Sequence, residues 1–262
     1  VEDEEGTMGL GSGIVWDSNP AAEYEECALK GAFLTQKRSV QVRAADPEED
    51  LKLIETMRYD GVQIPLLERH VERLARSAAY FSFPFDGDRF RRRVERAVMG
   101  CGGATLKVRA TLDRWGGLEV TTTPIEEPTE QPWRLGVAEV RVDRDDPFFY
   151  HKTTRRHVYE KALENARCDG YDEALLLNQD GEVTEGTYSN LFVQSGEKLF
   201  TPPVASGLLA GVYRDHVLET RPKATERVLT LDDLRAADAL YCCNAVRGWC
   251  EAVLEGPVLG GP

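Results

Sequence analysis

The segment Glu182-Val-Thr-Glu-Gly-Thr-Tyr-Ser-Asn-Leu-Phe-Val193 places a carboxylate, Glu185, and a glycine, Gly186, between two apolar stretches. Gly186 permits a positive φ or a close backbone approach that residues with side chains resist. The centre of the segment therefore reads as a turn, and Leu191–Val193 as a strand leaving it. Upstream, Asp172-Glu-Ala-Leu-Leu-Leu177 is an apolar run of strand length. Glu173–Leu177 and Leu191–Val193 are expected to pair as a hairpin, with Asp180-Gly181 and the Glu185-Gly186 turn in their connection. A helix predicted over Thr154–Ala166, closed by Asp169-Gly170, leads into that hairpin from His151-Lys152.

Lys152 follows Pro147-Phe-Phe-Tyr150, an apolar run able to desolvate its amine and lower its pKa. Taken alone, a lysine beside aromatics is more often a surface residue with a packed stem, and a turn glutamate is more often solvated. In company the two read differently. A lysine amine can carry a Schiff base, and a carboxylate beside a pyridine nitrogen keeps that nitrogen protonated. Pyridoxal 5′-phosphate is the cofactor expected to be held at these two ends by Lys152 and Glu185. Its phosphate needs backbone amides and a cation. Ser206-Gly-Leu-Leu-Ala-Gly211 runs into a helix predicted over Val212–Glu219, which offers free amides at the positive end of a helix dipole. Arg73, in His70-Val-Glu-Arg-Leu74, offers a bidentate anion contact, although unaided it would read as a surface helix arginine. Asn244-Ala-Val-Arg-Gly248 is a second turn able to close over the phosphate or the ring.

Further out, Leu53–Tyr59, Asp60-Gly61 and Val62–Leu66 predict a hairpin with a two-residue turn. An amphipathic helix follows over Leu66–Tyr80, its apolar stripe made by Leu67, His70, Val71, Leu74 and Ala78. A second helix over Asp88–Met99 carries the basic run Arg89–Arg93 as a solvated face. Strands over Thr105–Leu112 and Leu118–Thr123 complete a small α+β domain. Strands starting at Arg134 and over Ala239–Cys243 belong to a larger one. Cys242 and Cys243 lie in an apolar run and read as core residues rather than a redox pair. Before residue 44, Gly9-Leu-Gly-Ser-Gly-Ile-Val-Trp-Asp17 predicts a short strand, and Asn19-Pro20 starts a helix with Glu23 and Glu26 on one face.

The composition is that of a globular protein: 262 residues, 42% hydrophobic and 29% charged. A formal net charge of −13 argues against a general nucleic-acid binder. No apolar run has the length of a membrane span, and a cytoplasmic location with reduced thiols is expected. The histidines and cysteines show no zinc-ligand spacing, so no metal site is expected.

Glu68-Arg-His-Val-Glu-Arg-Leu74, His151-Lys152, Asp172–Leu177, Thr184-Glu-Gly186 with Ser189-Asn-Leu-Phe192, Gly207–Arg214 and Asn244–Gly248 occur in one order across the chain. From Leu51 to Gly256 this resembles the fold-type IV pyridoxal phosphate enzymes, the class of branched-chain aminotransferases, D-amino acid aminotransferases and aminodeoxychorismate lyases. The resemblance implies an α+β fold with a small domain over residues 44–133 and a larger domain over 134–262 built on a mixed sheet or barrel with helices. It implies Lys152 as the Schiff-base and catalytic lysine, Glu185 at the ring nitrogen, and Arg73 with the amides of Val212 and Tyr213 at the phosphate. Asn244 and Ala245 would add to the cofactor site; Ala245 lacks the hydroxyl that some members place there. Arg114 and Arg247 are the candidates for binding substrate carboxylates, and a homodimer is expected.

Residues 1–43 resemble the final strand and helix of the chorismate-binding synthases, with Glu23 and Glu26 at magnesium-binding positions. Together with Val1 in place of a methionine, this leads to the expectation of the C-terminal part of a synthase–lyase fusion. The implied reaction is elimination of pyruvate from 4-amino-4-deoxychorismate to give 4-aminobenzoate. The alternative is a branched-chain or D-amino acid aminotransferase.

Overall fold

Leu53, Glu55, Met57 and Tyr59 share one face of a strand by its two-residue period. That strand, β1 (Lys52–Tyr59), pairs antiparallel along its whole length with β2 (Leu106–Asp113), which pairs in turn with β3 (Leu118–Pro124). The computed structural model describes residues 51–125 and 131–259. The readings made for residues 1–43, Glu23 and Glu26 included, lie outside the described residues.

Helices α1 (Leu67–Phe81) and α2 (Gly87–Val98) cover the three-stranded sheet. Val71, Leu74, Ala78, Phe90 and Val94 pack with Leu53, Met57, Val108 and Leu112 as its core. Asp86 caps α2 by accepting from the amides of Asp88 and Arg89. The predicted hairpin of 53–59 with 62–66 does not form. Asp60 instead accepts hydrogen bonds from the amides of Val62 and Gln63 at 2.9 and 2.8 Å, making a tight turn that sends the chain into α1. Val62 is 86% exposed, and β2 takes the place beside β1.

The second sheet has eight strands in the order β6-β5-β4-β11-β10-β7-β8-β9. They are β4 (Trp133–Val142), β5 (Glu173–Asn178), β6 (Val183–Gly186), β7 (Asn190–Ser195), β8 (Lys198–Thr201), β9 (Ala224–Glu226), β10 (Ala239–Asn244) and β11 (Gly248–Leu259). Its edge strand β6 turns directly into β7, and the Gly186 amide donates to the Ser189 carbonyl at 2.8 Å. The sheet is thereby curled into a half-barrel. Leu175 and Leu177 face the interior with Leu135, Leu191 and Leu240, whereas Ala174 and Leu176 face α3 (His157–Cys168) on the outside. Burial on both faces explains why β5 is a continuous apolar run. Helix α4 (Val212–Thr220) packs Val217 on Phe192 and Cys243, and α5 (Leu231–Arg235) sends Leu234 to the interior. Cys242 and Cys243 are buried free thiols in the core strand.

Two more expectations change. β5 pairs antiparallel with β6 and parallel with β4, not with residues 191–193; β7 pairs with β10 and β8. The Asp180-Gly181 turn does form, because Asn178 Oδ1 accepts from the amides of Asp180 and Glu182. Val183–Gly186 is nevertheless itself a strand, so Glu185 stands on β6 and not in a turn. Helix α3 begins at His157 rather than Thr154 because residues 152–154 are extended along β1. The Ile54 amide donates to the Lys152 carbonyl at 2.8 Å, the Thr154 amide to the Lys52 carbonyl at 2.9 Å, and Leu53 bridges Thr153. Among the described residues, no helix is long and apolar enough to cross a membrane.

Candidate active site

The extended stitch of residues 152–154 to β1 fixes the backbone of Lys152 at the wall of a cavity of about 880 Å³. Before it, His151 stacks on Tyr80 and Phe81 and shares a 2.9 Å hydrogen bond with Ser77. Phe148 and Phe149 of the preceding aromatic run pack against Phe81 and Tyr159. Burial, then the nearby Arg156 and Arg73 guanidiniums, lower the Lys152 pKa to about 7. Its amine is therefore substantially uncharged near neutrality, the state needed for a nucleophile or base.

Glu185 reaches the same cavity from β6 and is 5% exposed. Its Oε1 accepts from the Tyr159 hydroxyl at 2.7 Å and the Leu209 amide at 3.2 Å, and its Oε2 from Asn190 Nδ2 at 3.2 Å. Burial raises its pKa to about 7 against those hydrogen bonds. The β6–β7 turn beside it is organised by another buried carboxylate, Glu173. That group accepts from the Thr187 amide and hydroxyl, the Tyr188 amide and the Ser189 hydroxyl. A side chain on Gly186 would lie 2.6 Å from Ser189 Oγ and 2.8 Å from Glu173 Oε2. Close approach, rather than positive φ, is what requires glycine there.

Arg73 lines the cavity from α1, but its fork is already half committed. Nε and Nη2 donate to Glu55 at 2.9 and 2.6 Å, leaving Nη1, which reaches the Ala210 carbonyl at 3.4 Å. His70 Nδ1 also contacts Glu55, at 2.6 Å. Burial would raise the Glu55 pKa, yet Arg73 and His70 outweigh it and hold it at about 2. Removing one member of a buried, hydrogen-bonded ion pair strands its partner. Glu55→Ala is therefore expected to cost about 3–5 kcal/mol in urea unfolding. The carboxylate's contribution is present above its unfolded pKa and lost as pH falls toward about 2, so the variant's stability should also lose that acid dependence.

Val212 and Tyr213 open α4, whose N-cap, Gly211, supplies no side-chain cap, so the first amides remain available to an anion. A Cβ on Gly211 would sit 1.9 Å from Asn190 Oδ1. Ala245 and Arg247 line the cavity. Asn244 lines it too, but its side chain serves its own turn. Oδ1 accepts from the amides of Val246 and Arg247, and Nδ2 donates to the Tyr188 carbonyl.

Arg114 is not among the lining residues. It is exposed on the β2–β3 turn, over the Trp115 ring, because the Asp113 carboxylate folds that turn back on itself through the amides of Trp115 and Gly117. The cations that do reach the outer cavity are Lys107 and Arg109 on β2, with Arg155, Arg156 and Arg167 beside and along α3. None of them forms a salt bridge among the described residues. Among the described residues, Asp172 and Glu185 are the only acids in the lining. The β2 pair was legible as alternate residues of one strand face; Tyr159 and Glu55 had no signal beyond their helix and strand positions.

The amino-transferase class IV family matches residues 52–253. This chain belongs to that family. A protein of Schizosaccharomyces pombe, named as a candidate aminodeoxychorismate lyase, is 28% identical over 79% of this chain and 90% of its own length. An aminodeoxychorismate lyase of Vibrio harveyi is 36% identical over 45% of each chain. The crystal structure of a candidate amino-acid aminotransferase from Mesorhizobium loti superposes with a TM-score of 0.74 at 35% identity, over 79% of this chain and all of the other. The class IV match establishes the fold-type IV architecture and pyridoxal phosphate as the cofactor. The residues present fit that group: a buried low-pKa lysine, a buried carboxylate, and an uncapped helix start beside an arginine whose Nη1 makes only a long contact to the Ala210 carbonyl. The match begins at residue 52, so the synthase-like reading of residues 1–43 gains no support from it.

Proposed function

We propose that this class IV enzyme is a 4-amino-4-deoxychorismate lyase, which splits its substrate into 4-aminobenzoate and pyruvate. The cationic outer cavity carries the reading most directly. A substrate with two carboxylates, on the ring and on the enolpyruvyl ether, needs fixed cations in the cavity. Arg109 and Arg156 face the cavity without a salt-bridge partner among the described residues. Partial desolvation and then the neighbouring Arg156 lower the Arg109 pKa, so the two cations lie close enough to repel each other. The names of the two lyase relatives support the same substrate.

In this scheme Lys152 would hold the cofactor through its Nζ, Glu185 would keep the ring nitrogen protonated, and Arg73 with the Val212 and Tyr213 amides would hold the phosphate. The bound cofactor supplies an electron sink for the carbon that bears the substrate amine. Lys152 Nζ would remove the proton from that carbon. The ring aromatises as the enolpyruvyl C–O bond breaks, and Lys152 returns a proton to the departing enolpyruvate. Substrate atoms are conserved and no amino acceptor is consumed. Arg109, Arg156 and Arg247 orient the carboxylates. The enzyme works as a homodimer in the cytoplasm.

Arg109→Gln is expected to raise KM for aminodeoxychorismate by about 10-fold or more, as loss of a charge-assisted contact would, with kcat changed far less. An unchanged KM in a steady-state assay would remove Arg109 from the substrate site. The Mesorhizobium loti neighbour favours one second reading, an amino-acid aminotransferase. That activity would require a 2-oxo acid, and the lyase would not.

A further inference from the structure

Tyr159 is buried on α3 at the floor of the cavity, its ring edge-to-face with Phe149 at 5.7 Å between centroids. The guanidinium of Arg156 lies over its other side, 4.6 Å from the ring centroid. Arg156 is itself anchored by donation to the Thr187 carbonyl. A cation over the ring face draws electron density from the phenol and strengthens its O–H as a donor. That hydroxyl makes the shortest contact of Glu185, at 2.7 Å to Oε1. The Leu209 amide fills the same oxygen, whereas Oε2 has one 3.2 Å donor, an Asn190 amide that also donates to the Leu209 carbonyl.

We infer that Tyr159 is a positioning residue that turns Glu185 so that Oε2 faces the cofactor ring nitrogen and keeps the carboxylate charged in its buried site. The inference rests on the reading of Glu185 given above and extends it to a relay from Arg156 through Tyr159 to Glu185. Burial and the neighbouring carboxylate push the Tyr159 pKa well up, so the phenol stays protonated and acts only as a donor. Without the hydroxyl, Oε1 keeps a single longer donor. Glu185 then becomes more basic and draws the shared proton away from the ring nitrogen.

The test uses holoenzyme loaded with pyridoxal phosphate labelled with 15N in the ring, and reads the nitrogen resonance across pH together with kcat and KM. Tyr159→Phe should move the resonance toward the unprotonated position, shift its titration by about one to two pH units, and lower kcat while leaving KM nearly unchanged. Tyr159→3-fluorotyrosine, a stronger donor of nearly the same shape, should move the resonance the opposite way, and it guards against a folding defect in the phenylalanine variant. If Glu185→Gln moves the resonance while neither Tyr159 variant does, the Tyr159 inference is overturned and Glu185 stays at the nitrogen. If Glu185→Gln also leaves the resonance in place, the reading of Glu185 falls and the inference falls with it.

Discussion

Lys152→Ala should lose 4-aminobenzoate formation by on the order of 10⁴-fold or more, because in the proposed reaction one amine both holds the cofactor and moves the proton. The variant should also lose the visible absorbance that the wild type gains on mixing with pyridoxal phosphate. The wild-type amine titrates at about 7 rather than at the ordinary lysine value, chiefly through burial. Only the uncharged amine attacks an aldehyde, so covalent capture of the cofactor should speed up as pH rises through about 7 and then level off. A capture rate that kept rising toward pH 10 would show an unperturbed lysine. A Lys152→Ala enzyme with wild-type turnover would remove Lys152 from the chemistry.

Glu185→Gln should keep the fold and the cofactor yet lower kcat by on the order of 10²–10³-fold, the scale of removing one fixed charge from a dry site. The amide keeps the shape and hydrogen-bonding length of the carboxylate, but it has no charge to hold a proton on a pyridine nitrogen. The loss should sit in kcat, since neither phosphate nor substrate carboxylates touch this group in the scheme above. Steady-state kinetics with retained cofactor absorbance would separate this outcome from simple loss of the cofactor. A variant with unchanged kcat would assign Glu185 a packing role only.

Lys152 and Glu185, which share one cavity, could be singled out as candidates from sequence because each sits in a local context with a chemical reason. Lys152 follows an aromatic run, and Glu185 precedes a glycine and a strand. Helices α1, α2 and α4 were likewise legible within one or two residues from apolar period and glycine placement. What could not be read was long-range pairing. β1 chose β2 over its sequence neighbour because the Asp60 side chain closes a turn unsuited to a hairpin. β5 chose β6 and β4 because it is buried on both faces, and periodicity says nothing of partners in that case. The same limit governs the site. Glu55 meets Arg73 across β1 and α1, and Tyr159 meets Glu185 across α3 and β6. Arg114 stands outside the cavity because a polar turn tip and a strand face a few residues apart point to different ends of the sheet; Lys107 and Arg109, on the strand, reach the cavity.

The most direct measurement is 4-aminobenzoate production from 4-amino-4-deoxychorismate by the purified chain with pyridoxal phosphate and no 2-oxo acid. The account predicts multiple turnovers with pyruvate released in equal amount. No product under those conditions, with turnover appearing only when an amino acid and a 2-oxo acid are supplied together, would contradict it and make this class IV enzyme an aminotransferase.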